Sequence, residues 1–175
     1  MKEIEFNDNQ FLRKLWLYNN NTIDKLEILN SPELEELTIH DNKITEVDIK
    51  NSPKIKNIRI WNNPISSLDI SHLNDLQVIY AWDLSGPITI GQISNLRIAG
   101  LDRNNFGSLD LSLMEKLEGF SCNDCGISEI TLPKTDKLRV LDLSNNSLSK
   151  LDLSNTPNID ILRISNNNLY CITID

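Results

Sequence analysis

The sequence predicts an α/β-type solenoid: a curved horseshoe with a parallel β-sheet on its concave side, mostly irregular convex turns and little helix. Three observations predict it. An apolar pattern recurs about every 21 residues along all 175 positions, and a period of that length is the mark of stacked structural repeats. Leu and Ile dominate the apolar set while Phe, Met and Val are few, so one kind of slot is filled repeatedly. Asn makes up on the order of an eighth of the chain, although it is not among the common residues of globular proteins.

The repeat is found by laying the chain against itself. Leu12, Leu34, Ile55, Leu76, Leu96, Leu117, Leu138 and Ile159 serve as anchors, with steps of 22, 21, 21, 20, 21, 21 and 21 residues. Three residues after each anchor stand Leu15, Leu37, Ile58, Ile79, Ala99, Phe120, Leu141 and Leu162. Five residues after stand Leu17, Ile39, Ile60, Ala81, Leu101, Cys122, Leu143 and Ile164. Apolar residues at plus three and plus five, separated by polar ones, have the period of a short strand with one buried face. Strands recurring at a fixed interval stack in parallel, each on its neighbours. At plus eight come Asn20, Asn42, Asn63, Leu84, Asn104, Cys125, Asn146 and Asn167. An amide there carries donors and an acceptor, and so satisfies backbone groups of adjacent turns. A later apolar pair, such as Val47 and Ile49 or Leu109 and Leu111, closes the opposite wall. Ser-Pro or Thr-Pro then punctuates the return.

The pattern L-x-x-L-x-L-x-x-N-x-L resembles the leucine-rich-repeat family over essentially the whole chain, which is read as one domain, 1–175, of about seven and a half repeats. Leu151 to Pro157, with Val47 to Pro53 and Leu68 to Ser71 as variants, resembles the bacterial 21-residue form. The closing stretch Asn168 to Asp175 looks like that of secreted Bacteroidetes-type repeat proteins. Ile4 and Phe6 align with Val47 and Ile49, so the chain begins and stops halfway through a repeat without a polar cap. A fragment of a longer secreted or surface protein is expected on that ground. Taken as complete, the chain has no apolar leader and would stay in the cytoplasm.

Composition narrows the function. A net charge of −8 argues against a nucleic-acid partner, because phosphate binding draws on clustered Lys and Arg. No stretch has the roughly 18 apolar residues that insertion in a membrane requires. Cys122, Cys125 and Cys171 are three and cannot all pair, so no disulfide framework is expected. Cys122-Asn123-Asp124-Cys125 spells C-x-x-C, but both cysteines fall on core slots and are assigned to packing, and Cys171 is expected at the surface. Asp48, Asp69, Asp110 and Asp152 are dispersed one per repeat as solvated surface, and form no metal cage. No constellation of nucleophile and base accompanies His40. No catalysis, cofactor or metal is therefore expected.

The functional signal lies on the outward strand positions. The plus-six column reads Tyr18, His40, Trp61, Trp82, then Asp102, Asn123, Ser144 and Ser165. The plus-four column reads Trp16, Thr38, Arg59, Tyr80, then Gly100, Ser121, Asp142 and Arg163. All three tryptophans gather in the first four repeats, on the expected concave face. Clustered amphipathic rings are what recognition surfaces use. The candidate ligand-binding set is Trp16, Tyr18, His40, Arg59, Trp61, Tyr80 and Trp82, with Asp83, Asp102 and Arg103 as orienting charges. The expected partner is a protein or peptide, with a carbohydrate on the same rings as the alternative. A third reading makes the chain a structural spacer whose rings form a ladder or are covered by another domain. Oligomeric state stays open. In the fourth repeat Leu84 replaces the ladder Asn and Leu84-Ser85-Gly86-Pro87 replaces the usual turn, an irregularity of the kind solenoid loops tolerate.

Overall fold

The computed structural model of the chain describes residues 3–28 and 30–174. It is a parallel β-solenoid with turns of about 21 residues, and no helix occurs among the described residues. Eight three-residue strands form one sheet: Lys14–Trp16, Glu36–Thr38, Asn57–Arg59, Val78–Tyr80, Ile98–Gly100, Gly119–Ser121, Val140–Asp142 and Ile161–Arg163. We number them rungs one to eight. The register is the one the sequence spacing demands, with Leu15, Leu37, Ile58, Ile79, Ala99, Phe120, Leu141 and Leu162 directly opposite one another. From Leu15 to Leu141 this column is buried, and at rung eight Leu162 is 39% exposed. One residue to either side, the chain alternates outward, as the pleat requires.

The opposite wall carries short strands of its own in place of wholly irregular turns. Glu3–Glu5, Lys25–Glu27 and Glu46–Asp48 form a three-stranded sheet. Beyond it stand three separate pairs: Leu68–Asp69 with Ile88–Thr89, Ser108–Asp110 with Glu129–Thr131, and Lys150–Asp152 with Cys171–Thr173. Ile4, Leu26 and Val47 are opposite one another there, which agrees with the alignment of the first residues to a half repeat. The eight-stranded sheet is thus the continuous wall of the coil and the opposite wall the interrupted one.

Side chains close each turn. Asn63 Nδ2 donates to the carbonyls of Ile39, Ile60 and Trp61, while its Oδ1 accepts from Ile44 N–H. Asn42, Asn104, Asn146 and Asn167 repeat the arrangement between their own rungs. On the outer wall Asp48, Asp69, Asp110 and Asp152 are exposed, and each accepts from the backbone N–H two residues on. These bonds hold the Asp69, Asp110 and Asp152 carboxyls below the usual carboxylate range, with the partner serines as the cause.

A second polar column accounts for a further part of the Asn and Asp content. At plus seven Asn19, Asp41, Asn62, Asp83, Arg103, Asp124, Asn145 and Asn166 all have φ between 52° and 58°. The chain leaves each strand through the left-handed region, where short polar side chains that bond locally are best tolerated. Asn62 and Asn63 are thus adjacent for different reasons, the first for its backbone and the second for its amide.

The fourth repeat meets its neighbour more closely. An isolated backbone bridge joins Asn63 and Leu84 where the ladder amide is missing. A Cβ on Gly86 would lie 1.8 Å from the Ser66 carbonyl oxygen, so only glycine fits that approach. Cys122 and Cys125 occupy their core slots at 0% exposure, and the two are joined to each other by a disulfide. Assigning them to packing alone was incomplete, because consecutive core slots of one turn bring their side chains within bonding reach. Cys171 is free and exposed.

Candidate functional site

The aromatic column arises because plus-six side chains of adjacent rungs sit directly over one another, about 4.8 Å apart as in any parallel ladder. Planar rings at that spacing stack. Tyr18 and His40 have ring centroids 5.0 Å apart at an interplanar angle of 11°. His40 and Trp61 follow at 4.0 Å and 8°, and Trp61 and Trp82 at 4.4 Å and 12°. Four side chains, one from each of the first four rungs, thus form a single stack on the outward face of the long sheet. Tyr80, one column over, stands nearly perpendicular to it, 5.7 Å from Trp82 and 6.3 Å from Trp61.

Gly100 makes room for that ring. A Cβ there would stand 2.8 Å from Cδ1 of Tyr80 and 3.7 Å from Cε3 of Trp82. Its φ is not in the left-handed region, so the demand at this glycine is one of space alone.

The stack is anchored from the side. His40 Nδ1 lies 2.6 Å from Asp41 Oδ2, and Asn62 Nδ2 donates to Asp41 Oδ1 at 2.7 Å. The bonds from Asn62 and His40 hold the Asp41 carboxyl below its ordinary range, against a smaller opposing effect of burial. A histidine clamped between two rings and tied to a carboxylate is fixed in orientation.

The charges expected to orient a ligand are mostly engaged with one another. Arg103 grips Asp83 through both Nε, at 2.7 Å, and Nη2. That pair lowers the Asp83 carboxyl and raises the guanidinium. Asp102 accepts from the Ser121 hydroxyl at 2.5 Å and from Asn123 N–H at 2.9 Å. Arg59 reaches Glu36 at 3.4 Å, and Lys14 reaches the same carboxylate at 3.3 Å. Trp16 stands outside the stack, 57% exposed, with the Lys14 ammonium 5.8 Å from its ring. Tyr18, at the free end of the stack, is 47% exposed. His40, Trp61, Tyr80 and Trp82 are half-buried.

Sequence reasoning brought the ring-bearing positions to one face and missed how they meet. The rings expected as a cluster are stacked, so the column presents mainly ring edges and one terminal face at each end. It also missed the disulfide and the left-handed column that seats Asp83 and Arg103. The run of Asn and Asp at plus seven was the signal for the latter.

Elsewhere Glu3, Glu5 and Glu27 cluster closely enough to meet a cation, but Lys25 already bridges Glu3 and Glu27. No helix among the described residues is long and apolar enough to cross a membrane.

The chain matches no family model and no curated protein. Among solved structures it is similar to the functional domain of InlJ from Listeria monocytogenes, described as including a cysteine ladder. The TM-score is 0.61 at 20% identity, and the match covers 95% of this chain and 42% of that one. The likeness bears on the fold. On the ladder positions of the present chain cysteine occurs once, at Cys125, and Asn holds most of the others.

Proposed function

We propose that the chain is a non-enzymatic recognition module that binds an extended protein or peptide segment along the aromatic ridge of rungs one to four. The observation that carries this reading is the stack itself. Rings that have spent their faces on one another offer edges and a long, rigid, amphipathic ridge. Such a ridge buries area against a partner at little cost in side-chain entropy, because stacking has already fixed the rotamers. A sugar packs against an open aromatic face, and the interior of the stack offers none. Flanking Trp16, Arg59 and Tyr80 widen the ridge along the strands, so the surface suits a segment lying across several rungs. The solenoid likeness bears on the fold and does not specify a ligand.

The test is a selection of displayed random peptides on the immobilised chain, followed by re-testing of the selected binders. Trp61→Ala with Trp82→Ala is expected to weaken them at least about tenfold, as loss of central aromatic anchors does. Circular dichroism should be unchanged apart from the aromatic bands. Binders indifferent to the double change, or no enrichment at all, would contradict the reading. Enrichment on a glycan array with none from peptides would favour the carbohydrate.

A further inference from the structure

The aromatic column ends abruptly at Trp82, and the next rung drops away beneath it. The following residue in the column is Asp102, which is short. Both of its hydrogen bonds, from Ser121 and Asn123, come from the rung beyond and land on Oδ1. Its carboxylate is thus drawn away from Trp82, with Oδ2 left over. The neighbouring column holds Gly100, whose lack of a side chain leaves room for the Tyr80 ring beside Trp82. Trp61 covers one face of Trp82 at 4.4 Å. The opposite face looks along the column toward Asp102, with Tyr80 standing at its side.

Charge at the step is lopsided. Arg103 is the one cation among the outward positions of rungs five and six, and Asp83 already holds it in a two-pronged pair. Asp102 and Asp124 add two further carboxylates within electrostatic reach of Arg103. A planar group that is positively charged meets every feature there: a flat ring to stack on, a carboxylate oxygen at the rim, and a surplus of negative charge.

We infer that this step is a subsite for an arginine of the bound partner, its guanidinium stacked on the open face of Trp82 and hydrogen-bonded to Asp102 Oδ2. The inference rests on the proposed docking of a protein segment on the ridge, and adds the partner's chemistry to it. A lysine ammonium can make the ion pair but not the planar stack, whereas guanidinium does both at once. The geometry continues the column's own rule, in which a flat side chain lies one rung-spacing beyond Trp82, except that the partner supplies it.

The experiment titrates the chain at low salt with three capped tripeptides, Gly-Arg-Gly, Gly-Lys-Gly and Gly-citrulline-Gly, and follows the Trp82 indole signal by NMR. The arginine peptide is expected to shift that signal saturably, at least about ten times more tightly than its uncharged citrulline counterpart. Asp102→Asn keeps the Oδ1 acceptor and removes the charge, and should weaken the arginine response by about tenfold. Asp136→Asn removes the same charge from an exposed turn far along the chain and should leave it unaltered. A response equal for arginine and citrulline, indifference to Asp102→Asn, or no saturable shift overturns the subsite. The docking proposal is judged separately by the peptides selected on the ridge. If those depend on Trp61 and Trp82 while the arginine probe fails, the subsite alone falls. If the probe binds and ridge-dependent peptides do not exist, the docking falls and an isolated guanidinium site stands.

Discussion

Replacing Asn63 with Ala is expected to destabilise the chain by roughly 2–6 kcal/mol, the cost of orphaning two buried polar groups. Asn63 is 2% exposed. Its Oδ1 is the partner of Ile44 N–H, and its Nδ2 is the partner of the Ile60 carbonyl. Ile39 and Trp61 carbonyls lose a donor too, but they keep Asn42 Nδ2 and Asp41 N–H respectively. Asn63→Asp should do no better than Ala, because it retains the acceptor, removes the donors and buries a charge. Asn62→Ala, one residue earlier and exposed, should cost only about 1–2 kcal/mol for its left-handed backbone. Urea titrations of the three variants measure this contrast. Equal, small losses at 62 and 63 would mean that water satisfies the ladder.

The second large effect belongs to Phe120. It is the largest fully buried side chain, 1% exposed, and its register neighbours are Ala99 and Leu141. The smallest residue of the column thus lies beside the largest, and the volumes compensate between rungs five and six. Phe120→Ala should cost about 3–5 kcal/mol, from lost burial and the cavity left behind. Ala99→Leu alone should cost about 1–3 kcal/mol by overpacking. Combined, the two should be more stable than Phe120→Ala by itself, since the new leucine enters the cavity. Strictly additive losses in denaturant would show that the two residues do not share a space.

The architecture was legible because a solenoid writes each contact into its sequence many times. The plus-three column of the chain is residue for residue the register column of the eight-stranded sheet. The Asn ladder was legible for the same reason, down to its gap at Leu84. The outward placement of Trp61 and Trp82 followed from strand alternation. What the sequence did not disclose depends on side-chain torsions and local backbone shape. Periodicity puts His40 over Trp61 but is silent on whether rings lie flat on one another, and that decides whether faces or edges meet a ligand. Asp83 and Arg103, expected to serve a ligand, are within reach of each other because both leave their strands in the left-handed conformation. The Cys122–Cys125 bond was hidden because each cysteine already had a place in the repeat, Cys122 on an apolar slot and Cys125 on the ladder position that Asn usually holds.

Everything proposed for recognition depends on one continuous stack of Tyr18, His40, Trp61 and Trp82 on the open side of the long sheet. The most direct measurement is the NMR spectrum of the three indoles, because a ring sandwiched between two others experiences their ring currents. The Trp61 signals, flanked by rings at 4.0 and 4.4 Å, should lie upfield of those of Trp16. They should move on Trp82→Ala and again on His40→Ala, with Trp16 unmoved by either. Three indoles with coincident shifts, and a Trp61 indifferent to both replacements, would contradict the account.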